Sequence, residues 1–448
     1  MEKLKVSKYI AITDYINEYN RLIYSFITEK MLLINDEVYT KLKENNVDFG
    51  EQTVNKFIEA GILVDANLNE LENIIRENKR VVTNRNVFSF TIFPSSNCQL
   101  GCHYCGQVHS PGKVDKNVYA DILAHIEKGV AQPEKNHLSI GWFGGEPLLG
   151  MSVIEELSPD LRRIAERNGC SYSARITTNG LLFNRVYLGK LIEHDVRDIT
   201  ISLDGTAKSH DLRRPTKGDG PSFDTIMKNL ADVLHYYDIE KEQIDIQLRI
   251  NVDRYNQDDV FPLLDLLAER QFQNKIKRFD IAPIHAWGND AHLRSNTIQE
   301  FADFKIDCYI KLMELGFMTN VPLPGRVKVI CQAVTDDALY MQTDGYLYDC
   351  SELPLVPADA AAKKLGHIKA VDLLQVEDRN YSSWNDEILD GKFPCTDCRI
   401  LPICGGGCPK SWKDGHIPCP DYKYNIEDML ALAYLSHSNS ELFQNASV

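Results

Sequence analysis

The sequence predicts an α/β protein in three parts: a winged-helix-like module over residues 1–85, a partial (β/α)6 parallel barrel over residues 86–316, and a loop-rich, cysteine-rich domain over residues 317–448. Three observations support this division. Strand-like runs precede helical segments in the first part, strands and helices alternate in the second, and the periodicity weakens in the third while glycine, proline and cysteine become frequent.

The first part begins with two strand-like stretches that are followed by two helical ones. The strand-like stretches are KYIAITDYI and RLIYSFITEKMLLI, and the helical ones are NDEVYTKLKENN and EQTVNKFIEAGILVD. Asn35 is of a type that commonly caps a helix, and Gly61 breaks the second helix before a short apolar return strand. This order of elements predicts a winged-helix-like module that ends within VVTNRN.

The middle part consists of short apolar runs that alternate with longer helical segments. The runs are FSFTIF, LSIGWF, ARITT, DITISLDG, IDIQLRINV and FDIAPI. Alternation of this kind is typical of a parallel sheet, because each parallel connection needs a crossover helix. We expect the sheet to curve into a partial barrel whose functional residues gather at the carboxyl ends of the strands.

Composition excludes several classes of partner and location. The chain has 448 residues and a formal net charge of -15, which would repel a nucleic-acid backbone. No apolar run approaches the roughly 20 residues that a membrane helix needs, and no apolar segment follows the charged start of the chain. We therefore expect a cytoplasmic protein that binds neither nucleic acid nor membrane.

The twelve cysteines are strongly clustered. Ten of them lie between residues 98 and 105 or between residues 331 and 419, and only Cys170 and Cys308 are isolated. Clustered thiols in a large chain without a secretion signal indicate metal binding more than disulfides. The two isolated cysteines are interpreted as small buried hydrophobic residues.

The first cluster has the spacing CxxxCxxC, formed by Cys98, Cys102 and Cys105 directly after the first barrel strand. Three thiolates in one loop can bind three irons of a 4Fe-4S cube and leave the fourth iron open to another ligand. The alternative is a zinc site completed by His103 or His109, since zinc also takes four cysteine or histidine ligands.

This loop, with the aromatic Tyr104 before its third cysteine, resembles the signature of the radical S-adenosylmethionine (SAM) superfamily. Further landmarks of that family follow in order after successive strands: Gly144-Gly145-Glu146-Pro147, Thr178-Asn179-Gly180, Ser202-Leu203-Asp204-Gly205 and His210-Asp211-Leu212-Arg213-Arg214. The resemblance implies that the glycine backbone and Glu146 receive the ammonium group of SAM, while Ser202 and Arg214 hold its carboxylate. Tyr104, Asn179 and Asp204 are expected at the same cofactor site.

The second cluster resembles the seven-cysteine pattern of the SPASM domain, which carries two auxiliary 4Fe-4S clusters. The resemblance implies one complete ligand set, Cys395, Cys398, Cys404 and Cys419, and one incomplete set, Cys331, Cys350 and Cys408. A zinc ribbon is the alternative for Cys395 and Cys398. The expected cofactors are therefore SAM and three 4Fe-4S clusters.

The family resemblance implies an enzyme that abstracts hydrogen from a substrate and oxidises it. Because residues 1–85 resemble a leader-peptide recognition module, we expect a ribosomal precursor peptide as substrate and a thioether or carbon-carbon crosslink as product, with a flavodoxin- or ferredoxin-type electron donor. An anaerobic sulfatase-maturase-like enzyme that forms formylglycine is the first alternative, and a zinc-binding scaffold is the second. By position, Asp253 and Asp349 are weak candidates for the proton acceptor.

Overall fold

The computed structural model describes residues 3–370 and 379–436. All twelve cysteines fall within these ranges, and each has a free thiol. In this part of the chain, no helix has both the length and the apolar character needed to span a membrane.

The N-terminal module contains a three-stranded antiparallel sheet, a separate two-stranded pair and three helices. Its elements are β1 (Leu4–Val6), β2 (Ile10–Tyr15), β3 (Asn20–Ser25), β4 (Met31–Asn35), α1 (Asp36–Lys43), α2 (Glu51–Glu59), β5 (Leu63–Asp65) and α3 (Glu70–Thr83). The stretch RLIYSFITEKMLLI forms two strands, β3 and β4, because the chain turns at Glu29, where φ is +61°. The Asn35 side chain accepts a hydrogen bond from the Val38 N–H at 3.0 Å and so starts α1, as predicted.

The central region is the predicted set of six parallel strands with intervening helices, and the predicted fold class is confirmed. The strands are β6 (Val87–Ile92), β7 (His137–Trp142), β8 (Ser171–Thr178), β9 (Val196–Ser202), β10 (Asp245–Val252) and β11 (Arg278–Pro283). The helices are α4 (Tyr119–Val130), α5 (Met151–Arg167), α6 (Arg185–Glu193), α7 (Ala207–Arg213), α8 (Phe223–Tyr236), α9 (Val260–Glu269) and α10 (Ile298–Glu314).

The central strands separate apolar from polar residues by alternation, which is clearest in β10. In β10, Ile246, Leu248, Ile250 and Val252 are buried in the core that the sheet shares with its helices. Gln247, Arg249 and Asn251 point to the opposite face and line a central cavity. The period of two in a strand thus gives the barrel an apolar outside, covered by helices, and a polar inside.

The C-terminal region extends this sheet with three short strands. The described elements are β12 (Ala338–Met341), β13 (Tyr346–Tyr348), α11 (Pro357–Ala360), β14 (Gly366–His367), α12 (Trp384–Leu389), α13 (Leu401–Cys404), α14 (Pro409–Lys413) and α15 (Tyr422–Ser436). Strand β12 pairs in parallel with β6, and β13 and β14 continue the sheet as antiparallel strands. A seventh parallel strand therefore comes from outside the predicted barrel segment.

The N-terminal module shares a hydrophobic core with the cysteine-rich region. Tyr9, Phe26 and Ile75 pack in one cluster with Trp384 and Cys404. Polar contacts join the same surfaces, since Lys8 donates to the Thr396 carbonyl at 3.0 Å and Lys79 pairs with Asp386 at 2.7 Å. The module is thus packed against the described part of the cysteine-rich region through a shared apolar core.

Candidate active site

A cavity of about 600 Å³ opens at the carboxyl ends of the central strands. Its walls come from the inner faces of β8, β9, β10 and β11, from the loops after β6 and β7, and from residues 351 and 352. Of the predicted cofactor and first-cluster residues, nine line it: Cys98, Cys102, Tyr104, Cys105, Gly144, Gly145, Asn179, Ser202 and Arg214. Their convergence follows from their positions, because each comes at or after the end of a parallel strand.

Backbone hydrogen bonds join the first cysteine loop to the end of α7 and to the residues that follow it. The Gly101 N–H donates to the Pro215 carbonyl at 2.8 Å, and the His103 N–H donates to the Arg213 carbonyl at 2.9 Å. Burial raises the pKa of the Cys102 thiol to about 12, although the nearby Arg214 guanidinium lowers it. The thiol therefore keeps its proton in the metal-free chain and would release it on binding a metal ion.

The two glycines after β7 are required by their backbone geometry. Gly144 and Gly145 have φ values of +78° and +53°, which favour glycine. A Cβ on Gly145 would lie 2.5 Å from the carbonyl oxygen of Asn97, and one on Gly144 would lie 2.0 Å from the Phe93 ring. The glycine pair therefore brings bare backbone to the cavity wall beside the cysteine loop.

Glu146 lies behind this wall and not in it. Its side chain is fully buried, and its two oxygens accept hydrogen bonds from the Leu148 N–H, the Asn179 N–H and the Thr178 hydroxyl at 2.8–2.9 Å. Burial raises the pKa of this carboxyl, whereas these donors act in the opposite direction. The carboxylate thus ties the end of β7 to the end of β8 and holds Asn179 in place, so direct contact with a ligand ammonium stays a prediction that this geometry does not favour.

A hydrogen-bond network joins Tyr104, Asp204 and Arg214. The Arg214 guanidinium donates to the Tyr104 hydroxyl at 2.7 Å, and that hydroxyl donates to Asp204 at 2.6 Å. The Asn251 amide donates to both Tyr104 and Asp204 at 3.1 Å. Asp204 is fully buried outside the cavity lining, so it positions Tyr104 and Arg214, which do line the cavity.

Charge pairing keeps Asp204 ionised in this network. Burial alone would raise the pKa of Asp204, but the guanidinium groups of Arg214 and Arg213 lower it below its usual value. The buried Asp204 carboxylate orients the two guanidinium groups and neutralises part of their positive charge.

His210 should make the stability of the protein depend on pH. Burial, with a further contribution from Arg214, lowers the pKa of His210 to about 4, so the folded protein keeps this ring neutral. Between about pH 6.5 and 4 the unfolded chain binds more protons at this position, and the free energy of unfolding falls as the pH falls. The free energy of unfolding falls between roughly pH 6.5 and 5.5, and we expect H210Q to make this decrease smaller by about 1 kcal/mol. Melting temperatures measured across this range check the prediction.

The matched control for this variant is H235Q, because His235 lies exposed on α8. The free energy of unfolding should fall less steeply with decreasing pH in H210Q than in H235Q. An H210Q protein whose slope equals that of H235Q would contradict the assignment.

Neither predicted proton acceptor lies in the cavity wall. The Asp253 carboxylate forms an ion pair with Arg213 and accepts the Tyr255 N–H at 2.9 Å, and Asp349 accepts from the Asn380 backbone at 2.6 Å and from its amide at 3.0 Å. Both are buried. Their positions after strands suggested a catalytic role. In the folded chain, both carboxylates are already engaged by an ion pair or by hydrogen bonds, so we no longer propose them as proton acceptors.

The cavity contains functional groups that the sequence analysis missed. They are Gln107, Arg175, Arg249, Asp280, His285, Trp287 and Glu352. Alternation along β8, β10 and β11 was a signal that could have placed Arg175, Arg249 and Asp280 on the inner face. Glu352 had no such signal, because a distant segment carries it back to the barrel mouth.

The seven remaining clustered cysteines form two spatial groups. Burial raises the pKa of Cys404 to about 12, and the thiols of Cys395, Cys398 and Cys419 are close enough to raise it further. Burial likewise raises the pKa of Cys331 to about 11, with a contribution from Cys408. Cys350 is near both Cys331 and Cys408. The groups coincide with the two predicted ligand sets, whose role as ligands stays a prediction.

The isolated cysteines lie elsewhere. Cys170 and Cys308 are buried in the core between the sheet and its helices.

Across the described residues, no three histidine, cysteine, aspartate or glutamate side chains lie close enough together to bind a single metal ion.

The cavity residues suit an iron-sulfur cube with bound SAM. The three thiols supply the soft ligands that iron-sulfur clusters take. The glycine pair presents bare backbone in the cavity wall where a Cβ would clash with Phe93 or Asn97, and the Nε–H of Arg214 is buried without a hydrogen-bond partner among the described residues. A guanidinium beside bare backbone is well shaped for an amino-acid carboxylate and ammonium.

Comparisons with known proteins agree with this site. The family model described as the Radical SAM superfamily matches residues 92–239. A cysteine-type anaerobic sulfatase-maturating enzyme from Clostridium novyi is 24% identical over 351 residues, which cover 72% of this chain and 88% of that protein. The radical SAM cyclopropyl synthase TigE from Paramaledivibacter caminithermalis is 28% identical over 195 residues, which cover 40% of each chain.

A solved structure supports the fold. Native anSMEcpe with bound AdoMet and the Cp18Cys peptide has a TM-score of 0.59 and 18% sequence identity, covering 79% of this chain and 100% of that chain. The chain therefore carries a radical SAM domain within residues 92–239 and has the fold of radical SAM enzymes.

Proposed function

We propose that this protein is a radical SAM peptide maturase that oxidatively installs a thioether or carbon-carbon crosslink in a ribosomal precursor peptide. The observation that carries the proposal is the single cavity in which the thiols of Cys98, Cys102 and Cys105 face the Gly144-Gly145 backbone and Arg214. When bound there, the cluster and SAM would supply the one-electron chemistry that abstracts hydrogen from a substrate C–H bond.

Different residues would bind the iron-sulfur cluster and SAM. Cys98, Cys102 and Cys105 would hold the cluster, and Gly144, Gly145, Asn179, Ser202 and Arg214 would hold SAM, with Tyr104 orienting Arg214. The backbone at Trp287 packs against the cysteine loop, since a Cβ on Gly106 would lie 1.9 Å from the Trp287 carbonyl oxygen. Both residues also line the cavity, so this contact would help to hold the cysteine loop in place.

The peptide substrate would enter the same cavity beside Glu352. This carboxylate lines the wall and accepts a hydrogen bond from the Ser351 hydroxyl at 3.1 Å. It lies next to Cys350, which belongs to the second thiol group. The proposed auxiliary clusters would thus have one ligand adjacent to the substrate cavity, a suitable position for taking up an electron from an oxidised substrate.

The N-terminal module supports a precursor peptide as the substrate. Strand β4 pairs only with β3 among the described residues, so its other edge offers backbone groups to an added strand. We propose that the module, residues 1–85, binds the leader, that residues 86–316 form the catalytic barrel and that residues 317–448 form the auxiliary-cluster domain. A flavodoxin- or ferredoxin-type protein would deliver electrons in the cytoplasm.

Formylglycine formation on a protein is the second candidate. It is favoured by the relative from Clostridium novyi, whose length this chain covers to 88%. The two candidates differ in product, because a crosslink removes two hydrogens and leaves no aldehyde, whereas formylglycine carries a reactive aldehyde.

Anaerobic purification and reconstitution test the proposal. We expect a brown protein with about twelve irons and twelve sulfides per chain, as three cubes require, and release of methionine from SAM under reducing conditions. Short peptides encoded near this gene should then be co-expressed and examined by mass spectrometry and with a hydrazide probe. A colourless protein would overturn the proposal, and a hydrazide-reactive product would replace the crosslink with formylglycine.

A further inference from the structure

A second, smaller cavity of about 180 Å³ adjoins the central one inside the barrel. The two cavities share four lining residues: Phe143, Arg175, Thr177 and Ser351. The smaller cavity is completed by residues of β6, β7 and β12, including Thr91, Gly141 and Tyr340. A group that enters the central cavity can therefore reach the smaller one along the Arg175 side chain.

The sheet register places three of these residues side by side. Thr91 in β6 pairs with Gly141 in β7, and Gly141 pairs with Arg175 in β8. A Cβ on Gly141 would lie 2.5 Å from the Thr91 hydroxyl oxygen. The missing side chain at Gly141 thus lets the Thr91 side chain lie over the β7 backbone, and Thr91, Gly141 and Arg175 together line one wall of the smaller cavity.

Both flanking groups lack partners in the described part of the chain. The Thr91 hydroxyl is buried without a hydrogen bond, and the residue is only 3% exposed. The Arg175 side chain makes no hydrogen bond or ion pair with any described residue, and it is exposed to the cavity. A buried hydroxyl without a partner is uncommon and requires an explanation.

The neighbouring charges do not neutralise Arg175. Asp198, its register neighbour in β9, pairs with Arg278 at 3.3 Å, and Arg249 pairs with Asp280. The Tyr340 hydroxyl donates to Gln332 at 2.9 Å. The smaller cavity therefore has one guanidinium without an ion-pair partner and one hydroxyl without a hydrogen-bond partner among the described residues, while the Glu352 carboxylate lines the adjoining central cavity.

We propose that Thr91, Gly141 and Arg175 form a carboxylate-binding subsite for the peptide substrate. The planar guanidinium matches the two oxygens of a carboxylate, and the Thr91 hydroxyl donates to one of them. The ligand is an acidic side chain or the C-terminal carboxylate of the peptide. This inference rests on the proposed function, since it assigns a specificity element to the same cavity.

The subsite lies well inside the barrel. Arg175 precedes Asn179, at the cavity mouth, by four residues, which corresponds to ~13 Å along an extended strand. A carboxylate bound there would fix the depth to which the peptide enters and thereby select the residue that faces the cofactor.

Binding of small probes to the iron-loaded protein with SAM tests the subsite. The probes are N-acetyl-glutamate methylamide, its glutamine isostere, and N-acetyl-glycyl-alanine with its C-terminal amide. We expect at least one acid to bind about tenfold more tightly than its amide, because a charge-assisted hydrogen bond is lost in the amide. The glutamate pair reports a side-chain ligand, and the glycyl-alanine pair reports a C-terminal one.

Variants locate the preference at these residues. R175M should abolish the preference for acids over amides, and R175K should retain part of that preference. The isosteric T91V should weaken acid binding about threefold. R254M is the control, because Arg254 carries the same charge near the mouth, pairs with Glu300 and lines neither cavity. Equal affinity for acids and amides, or an acid preference that survives R175M, would overturn the subsite.

The outcome is separable from that of the proposed function. Failure to bind iron or to release methionine from SAM contradicts the function. Equal binding of acid and amide by a protein that does release methionine contradicts the subsite alone.

Discussion

Replacing Cys102 with alanine is expected to remove about a third of the bound iron, from about twelve to about eight irons per chain, and to reduce methionine release from SAM to background. The reason is that Cys102 shares the cavity with Cys98 and Cys105, and a cube held by only three thiolates cannot lose one without losing its site. Iron analysis, the visible spectrum and methionine release measure the effect.

C170A is the matched control for this experiment. Cys170 is buried in the helix-covered face of the sheet, where its thiol donates to the backbone carbonyls of Val130, Lys135 and Asn168 at 3.7–3.9 Å. This variant should keep all of its iron. A C102A protein with unchanged iron, or an unaltered protein that binds zinc and stays colourless, would contradict the cluster assignment.

Replacing Arg214 with methionine is expected to weaken SAM binding about 100-fold while leaving the iron content unchanged. The guanidinium lines the same cavity as the glycine pair and the cysteine loop, and loss of its charge-assisted hydrogen bonds costs on the order of 3 kcal/mol. Equilibrium dialysis of SAM with the reconstituted protein gives the affinity. The variant also leaves buried Asp204 with less compensation, so the melting temperature should fall.

R163M controls for the removal of an arginine. Arg163 lies exposed on α5 and pairs with Asp160, so its loss should change neither SAM affinity nor iron content. Unchanged SAM affinity in R214M would show that the carboxylate of SAM is held elsewhere. Loss of iron in R214M would instead assign this arginine to the cluster loop.

Much of the architecture was predictable because it is encoded locally. The six apolar runs became β6 to β11, since alternation with a period of two and the intervening helical spacing are properties of each segment alone. The cysteine loop and the landmark residues after the next strands meet at one cavity because parallel strands end at one edge of the sheet.

Other features depend on which segments meet in space. Strand β12 has only four residues, and its pairing with β6 is fixed by packing and not by any pattern in its sequence. Asp253 and Glu146 have the positions of site residues in the sequence, yet ion pairs and backbone donors occupy them in the fold. Glu352 enters the cavity wall only because residues after β13 return to the barrel mouth.

From the sequence alone one can read the alternation of six strands with helices, the helix-covered outer face and the residue types available for metal and cofactor binding. Which of these groups stay free to bind a ligand is visible only in the folded chain, because side-chain direction follows from local periodicity, whereas the neutralisation of a charge depends on partners distant in the chain. Arg175 and Asp253 illustrate the difference, since the first has no ionic partner among the described residues and the second is paired with Arg213.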